Sequence, residues 1–235
     1  MRMKWNLFLN SLLLVLLLPA NQRTVWQVQD QKLLSVAGNF DGQKGTVVVP
    51  VMRSDLNQDG RDECLQLQAG VASIQDCFGK TLWQSPAVWQ VKEAQITDLN
   101  RDGEPEVMLL VWRPFTPWPI DQDDPSGGRI KDFHNRDNES CHVILIHWAR
   151  GNYNELWAGS ALVRPVSQVH IADVDGDGWQ ELVALEGYYD SPFKGGSLTV
   201  WRWRGFGFVL EDEVNKFYQT VSVDQENGTN WIVTQ

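Results

Sequence analysis

The segment Asp98-Leu99-Asn100-Arg101-Asp102-Gly103-Glu104-Pro105-Glu106 decides the fold of this 235-residue chain, because it occurs three times. Asp55-Leu56-Asn57-Gln58-Asp59-Gly60-Arg61-Asp62-Glu63 precedes it, and Asp173-Val174-Asp175-Gly176-Asp177-Gly178-Trp179-Gln180-Glu181 follows it. All three read D-h-[DN]-x-D-G-x-x-E, with h apolar. Each copy follows a strand-like segment (Val47 to Val51, Ala94 to Thr97, Val169 to Ala172) and precedes an apolar run (Cys64 to Leu67, Val107 to Trp112, Leu182 to Leu185). Apolar runs with little alternation suit strands buried on both faces. The repeating unit is therefore strand, acidic loop, buried strand.

Two further strands are expected after each unit: Ala72 to Asp76 and Lys80 to Trp83, His142 to Trp148 and Tyr153 to Trp157, Leu198 to Trp203 and Phe206 to Leu210. Four strands per unit is the content of a propeller blade. The expected fold is all-β: a small β-propeller of about four four-stranded blades, with the acidic loops between first and second strands. Asn39-Phe40-Asp41-Gly42-Gln43 and the Gln225, Asn227, Gly228 stretch read as worn copies of the loop. Strands near Phe217 to Val223 and Trp231 to Val233 are expected to pair with strands near Val25 to Val28 and Leu33 to Val36, completing a fourth blade and removing exposed edges. A five-bladed ring, or an open fragment completed as a homodimer, stays open at this level.

The loops resemble the calcium loops of FG-GAP/VCBS repeats, the family of integrin-α-like propellers. The resemblance is specific at the loops and loose elsewhere. The copies are unequally spaced, starting at Asp55, Asp98 and Asp173, and the chain is shorter than a seven-bladed ring. The family implies blades, calcium and extracellular binding or adhesion.

The residue chemistry fits Ca²⁺ independently. A hard cation takes six to eight oxygen ligands. Positions 1, 3 and 5 supply Asp55, Asn57 and Asp59; Asp98, Asn100 and Asp102; and Asp173, Asp175 and Asp177. Glycine at position 6 permits the sharp turn. Position 7 offers a backbone carbonyl (Arg61, Glu104, Trp179), and the acid at position 9 closes the shell (Glu63, Glu106, Glu181). An EF-hand delays its closing glutamate to position 12, on a helix, so this is a different loop. Up to three Ca²⁺ sites are expected, and charge count ranks the third as tightest. Asx-rich turns without metal are the competing reading.

Residues 113–140 and 187–196 are long connections on the face opposite the loops. Exposed aromatics beside polar groups suit sugar rings and protein hot spots. Arg113, Trp118, Tyr188, Tyr189, Asp190 and Phe193 form the candidate ligand rim, for a glycan or an extracellular protein. The alternative is that Phe115, Trp118 and Phe193 pack these loops against the ring. No HExxH or Gly-x-Ser-x-Gly motif occurs, and no catalytic residue is assigned. A secreted carbohydrate-active enzyme using an acid pair such as Asp121 and Asp190 is the alternative function.

Residues 1–20 have the pattern of a signal peptide: Arg2 and Lys4, an apolar run from Leu7 to Leu18, then Ala20. Residues 21–235 are then the propeller, secreted or at the cell surface, with the membrane reached only through an uncleaved leader. A formal charge of −10 argues against nucleic acid. In an oxidising compartment a Cys64–Cys77 bridge is expected, leaving Cys141 odd; three buried thiols is the other reading.

Overall fold

The computed structural model describes residues 23–36, 52–116 and 132–235. Among these residues every regular element is a strand, in four four-stranded antiparallel sheets. The first blade is β3 (Met52–Ser54), β4 (Glu63–Gln68), β5 (Val71–Gln75) and β6 (Thr81–Gln84). The second is β7 (Gln90–Thr97), β8 (Glu106–Pro114), β9 (Glu139–Ala149) and β10 (Asn152–Ala158). The third is β11 (Val166–Ala172), β12 (Glu181–Glu186), β13 (Gly196–Trp203) and β14 (Phe208–Tyr218). The fourth joins the chain's two ends in the order β15 (Val221–Glu226), β16 (Thr229–Thr234), β1 (Thr24–Gln29) and β2 (Lys32–Val36). The architecture is a four-bladed β-propeller.

The buried runs have a direct geometric cause. On β8, Val107, Leu109 and Val111 pack into a core with Leu65, Ile74 and Val91 of the first and second blades. Met108, Leu110 and Trp112 point the other way, into a core with Val169, Leu182 and Ala184 of the third. On β12, Leu182 and Ala184 share that core, while Val183 and Leu185 face Trp26 and Ile232 of the fourth blade. A second strand sandwiched between neighbouring blades needs apolar residues on both faces, so alternation disappears. First strands contact one another between blades, β3 with β7, β7 with β11 and β11 with β15. They form the inner wall of the ring.

Ring closure rests on β1 and β16, with Thr24 opposite Thr234 and Trp26 opposite Ile232. The buried Trp26 indole N–H donates to Thr234 Oγ1 at 2.9 Å. Several expectations are corrected in detail. The segment near Phe217 to Val223 is two strands: β14 ends at Tyr218 and β15 begins at Val221, because Gln219 N–H turns back to the Gln235 carbonyl. Phe206 is a turn residue, and the strand expected from it starts at Phe208. The worn copy at Asn227-Gly228 is a two-residue hairpin joining β15 to β16, with φ of 52° and 81°, which Asn-Gly adopts readily. The other worn copy, residues 39–43, the strand expected at 47–51 and the leader pattern in residues 1–20 lie outside the described residues. Cys64 and Cys77 are joined by a disulfide with Cα atoms 4.9 Å apart, and Cys141 is a buried free thiol. No helix among the described residues is long and apolar enough to cross a membrane.

Candidate functional site

Each acidic loop joins the first and second strands of its blade, and the three share one backbone. Position 4 is left-handed in all of them: Gln58 at φ 59°, Arg101 at 65° and Gly176 at 79°. Position 6 is left-handed at Gly60, Gly103 and Gly178. The carboxylate at position 1 holds this turn by accepting backbone N–H bonds. Asp55 accepts from Asp59 and Gly60, Asp98 from Asp102 and Gly103, and Asp173 from Gly176 and Gly178. Position 5 accepts from the N–H of position 7, at 2.8–2.9 Å. Position 2 is buried, as Leu56, Leu99 or Val174. Its N–H donates to the glutamate at position 9, at 2.8 Å for Glu63, 2.7 Å for Glu106 and 3.1 Å for Glu181. That glutamate is buried every time, 3%, 1% and 0% exposed. Burial raises the pKa of Glu63 and pushes Glu106 up to about 7.

The loops differ in what meets the second oxygen of that glutamate. In the first loop, Glu63 Oε1 accepts from the Asn57 amide at 2.7 Å. In the second, Glu106 Oε2 is buried with no hydrogen-bond partner. Carboxylate oxygens of Asp98, Asp102 and Glu106 lie within 4.8 Å of one another. A polar cleft of ≈400 Å³ between the first and second loops opens onto Asn100, Asp102 and Glu106. In the third loop, Glu181 Oε1 meets Arg101 at 3.0 Å and Arg202 at 3.3 Å. Arg202 also pairs with Asp175, with Asp177 at 2.9 Å and with Glu211 at 2.7 Å. Asp173, Asp175 and Asp177 are clustered, but the cluster already faces a guanidinium.

Register explains the difference. Leu182 pairs with Trp201, so one step further Glu181 sits beside Arg202. Val107 pairs with Ile146, so one step further Glu106 sits beside His147, which lines the polar cleft. The sequence reading missed Arg202; pairing the buried strand of the third unit with Leu198 to Trp203 is the signal that finds it. The loops also interlock across blades. Asp98 N–H donates to Gln180 Oε1 at 3.0 Å, and the Asn230 amide donates to the Asp173 carbonyl at 2.8 Å.

On the opposite face, Arg113 lines a cleft that includes none of Tyr188, Tyr189, Asp190 or Phe193. Arg113 stacks 5.8 Å from the Trp89 ring and lines a cleft of ≈530 Å³ with Val88, Thr116 and His142. A second cleft of ≈500 Å³ shares the Ala161 wall and is lined by Trp157, Trp201, Phe208 and Arg164. Tyr188 and Phe193 are 67% and 61% exposed, as is Val163 at 67%. Phe193 also rests against Trp112 at 5.4 Å, so it partly packs its loop. Tyr189 is a fastening: its hydroxyl donates to the Leu162 carbonyl at 2.7 Å and accepts from Cys141 N–H at 3.2 Å. The exposed Asp190 accepts from the Ser191 hydroxyl. Trp118 and Asp121 lie outside the described residues.

Comparison with known proteins adds no assignment: no protein-family model matches the chain, and no curated protein matches it in sequence.

Proposed function

We propose that this chain is a calcium-stabilised propeller of the FG-GAP/VCBS kind, secreted or surface-bound, acting as a binding module for a glycan or an extracellular protein. The observation that carries the calcium reading is the Glu106 carboxyl. It is buried, Oε1 accepts from Leu99 N–H, Oε2 has no hydrogen-bond partner, and one of its oxygens lies within 4.8 Å of carboxylate oxygens of Asp98 and Asp102. A buried carboxylate oxygen without a donor is costly, and a cation removes the cost. The donor set is all hard oxygen: Asp98, Asp102, Glu106, the Asn100 side chain and the Glu104 carbonyl, which suits Ca²⁺. On this reading the second loop is the principal site, ahead of the third, because Arg101 and Arg202 already balance the third loop's acids. Bound calcium would screen the repulsion among these carboxylates and brace the turn.

The test is a thermal melt of the full chain in calcium, in magnesium and in chelator, repeated for Asp98→Ala. Calcium should raise the melting temperature of the parent chain and leave that of the variant unchanged. Identical parent melts in calcium and chelator would sink the reading. The binding role belongs to the opposite face, where exposed Val88 lines one cleft and exposed Val163 the other, and where Tyr188 and Phe193 are also exposed. A screen of glycans and extracellular proteins should yield a ligand whose binding falls on Arg113→Ala and Tyr188→Ala, with the calcium response intact.

A further inference from the structure

Among the described residues every lysine is exposed, and four arginines are not: Arg101, Arg113, Arg164 and Arg202. Three of the four face carboxylates. Arg101 meets Glu181 at 3.0 Å, Arg164 meets Glu186 at 2.9 Å and Glu213 at 2.6 Å, and Arg202 meets Glu211 at 2.7 Å. Arg113 is the exception. Among the described residues its guanidinium forms no ion pair and no hydrogen bond, and its one contact of note is the Trp89 ring. Burial lowers its pKa, and the exposed Glu155 on β10 opposes that shift without pairing with it. A guanidinium drawn partly out of water without an anion costs free energy that the other three recover. In a chain of net charge −10, its partner is not missing for want of acids.

Register puts Arg113 at the cleft. Gln90 pairs with Trp112, so one step further Trp89 meets Arg113, whose guanidinium lies over the indole at 5.8 Å. Trp89 is itself 7% exposed, so this stack is a fixed floor. The cleft of ≈530 Å³ beside it has Val88, Pro114 and Ala161 as apolar walls, with the exposed Thr116 next to them. His142 lines it too, but both ring nitrogens are occupied, by Ser140 Oγ at 2.7 Å and the Gly159 carbonyl at 3.0 Å. Burial, with Arg113 nearby, pushes the His142 pKa down to about 4. At neutral pH Arg113 is thus the one charge that lines the cleft among the described residues.

We propose that this cleft takes the carboxylate of a sugar acid, a hexuronate unit, in two-oxygen contact with Arg113. A guanidinium stacked on an aromatic ring keeps its N–H edge for a planar anion. A sugar ring, polar at its edge and apolar on its face, matches the Thr116 hydroxyl and the walls of Val88, Pro114 and Ala161. A peptide carboxylate fits less well. Peptides draw affinity from pairing with a free sheet edge. Arg113 stands on β8, which is paired on both sides, with β7 and β9, and the next N–H, of Phe115, is taken by the Asn138 carbonyl. The inference rests on the binding role proposed for this face and narrows its ligand to an acidic glycan.

The test follows the Arg113 Nε–H resonance of the full chain, identified by its absence in Arg113→Lys, during titration with sodium glucuronate at constant ionic strength. Parallel titrations use glucose, the methyl ester of glucuronate, sodium acetate and N-acetyl-trialanine. Glucuronate should give a saturable shift about ten-fold tighter than acetate or more, and glucose and the ester should give none. No saturable shift with glucuronate, an equal shift with glucose, or no gain over acetate would overturn the proposal. Tighter binding of N-acetyl-trialanine would overturn it in favour of a peptide carboxylate. Arg113→Met keeps the stem and removes the charge, and it should melt within about 2 °C of the parent, since no carboxylate of the fold pairs with Arg113. A larger fall would make the guanidinium a structural group and end the site. A neutral glycan or a protein that binds through Arg113 would leave the binding role standing and the carboxylate assignment refuted.

Discussion

The second and third acidic loops hold the same backbone. Position 4 is left-handed at Arg101 and at Gly176, glycine turns the chain at Gly103 and Gly178, and the closing glutamate is bonded to Leu99 N–H or Val174 N–H. They differ in one neighbour from the adjoining strand. Beside Glu181 stands Arg202, whose guanidinium reaches Asp175, Asp177, Glu181 and Glu211. Beside Glu106 stands His147, and Glu106 Oε2 keeps no partner. Acid count within the loop ranks the third first; the charge of the cross-strand neighbour reverses that order. On the proposed calcium reading, the affinity of an acidic loop is thus read from its blade, where the cation that competes for its acids resides, and not from its nine residues alone.

The largest way to break this comparison is to remove the arginine. Arg202 is buried, 6% exposed. Arg202→Ala takes one of two guanidinium partners from Glu181 and from Glu211, which keep Arg101 and Arg204, so the loss is at most that of a fully broken buried pair, about 3–5 kcal/mol. Denaturant unfolding in chelator should show that loss, and calcium should restore part of it by entering the vacated loop. Equal unfolding midpoints for variant and parent would show that the arginine cluster is not what balances the third loop. Next in size is the second loop. At calcium one hundred times the dissociation constant, a single site stabilises by about 2.7 kcal/mol. Asp98→Ala should remove that increment while Asp173→Ala leaves it nearly whole, as read by the same unfolding curves. The reverse exchange, His147→Arg, should also abolish the calcium response, because it places a cation where the third loop has one. A retained response in His147→Arg would end the argument from register.

Much of this was legible in the sequence because it is local. The loop turns on glycine at position 6, and in the second and third units the residues after it are buried on both faces because neighbouring blades sandwich β8 and β12; the run expected at Cys64 to Leu67 is corrected, since Gln66 and Leu67 of β4 are exposed. Closure of the ring through Trp231 to Val233 and Val25 to Val28 also followed, since an open ring leaves edges. Arg202 was not legible in the same way. It lies 25 residues past Asp177 in sequence, and what brings it back is the register between β12 and β13. The 187–195 connection between them does not fix that register. From sequence Tyr189 reads as a ligand contact because it lies among aromatic and polar residues of a long connection, but its hydroxyl is held by Leu162 and Cys141, which only the packing of two blades reveals. The Asn227-Gly228 pair reads as a worn loop by its place in the repeat, although Asn-Gly is by itself a hairpin signal.

The first loop offers the smallest and sharpest change. It has the shared backbone, and its closing Glu63 is 3% exposed, yet Asn57 Nδ2 occupies Glu63 Oε1. Its carboxylates do not meet the 4.8 Å grouping that those of the second and third loops do. No arginine pairs with Asp55, Asp59 or Glu63 among the ion pairs of the described residues. The first loop is therefore held back by an internal amide, where the third is held back by a cation from the next strand. Asn57→Asp removes the donor, frees Glu63 and adds a charge at position 3. In chelator the variant should be less stable by a few tenths of a kcal/mol to about 1 kcal/mol, the scale of one added like-charge contact near the surface. In calcium it should gain a second binding event, seen as doubled stoichiometry in calorimetry at unchanged affinity for the first. Stoichiometry that stays at one would mean that the missing carboxylate is not what sets the first loop apart.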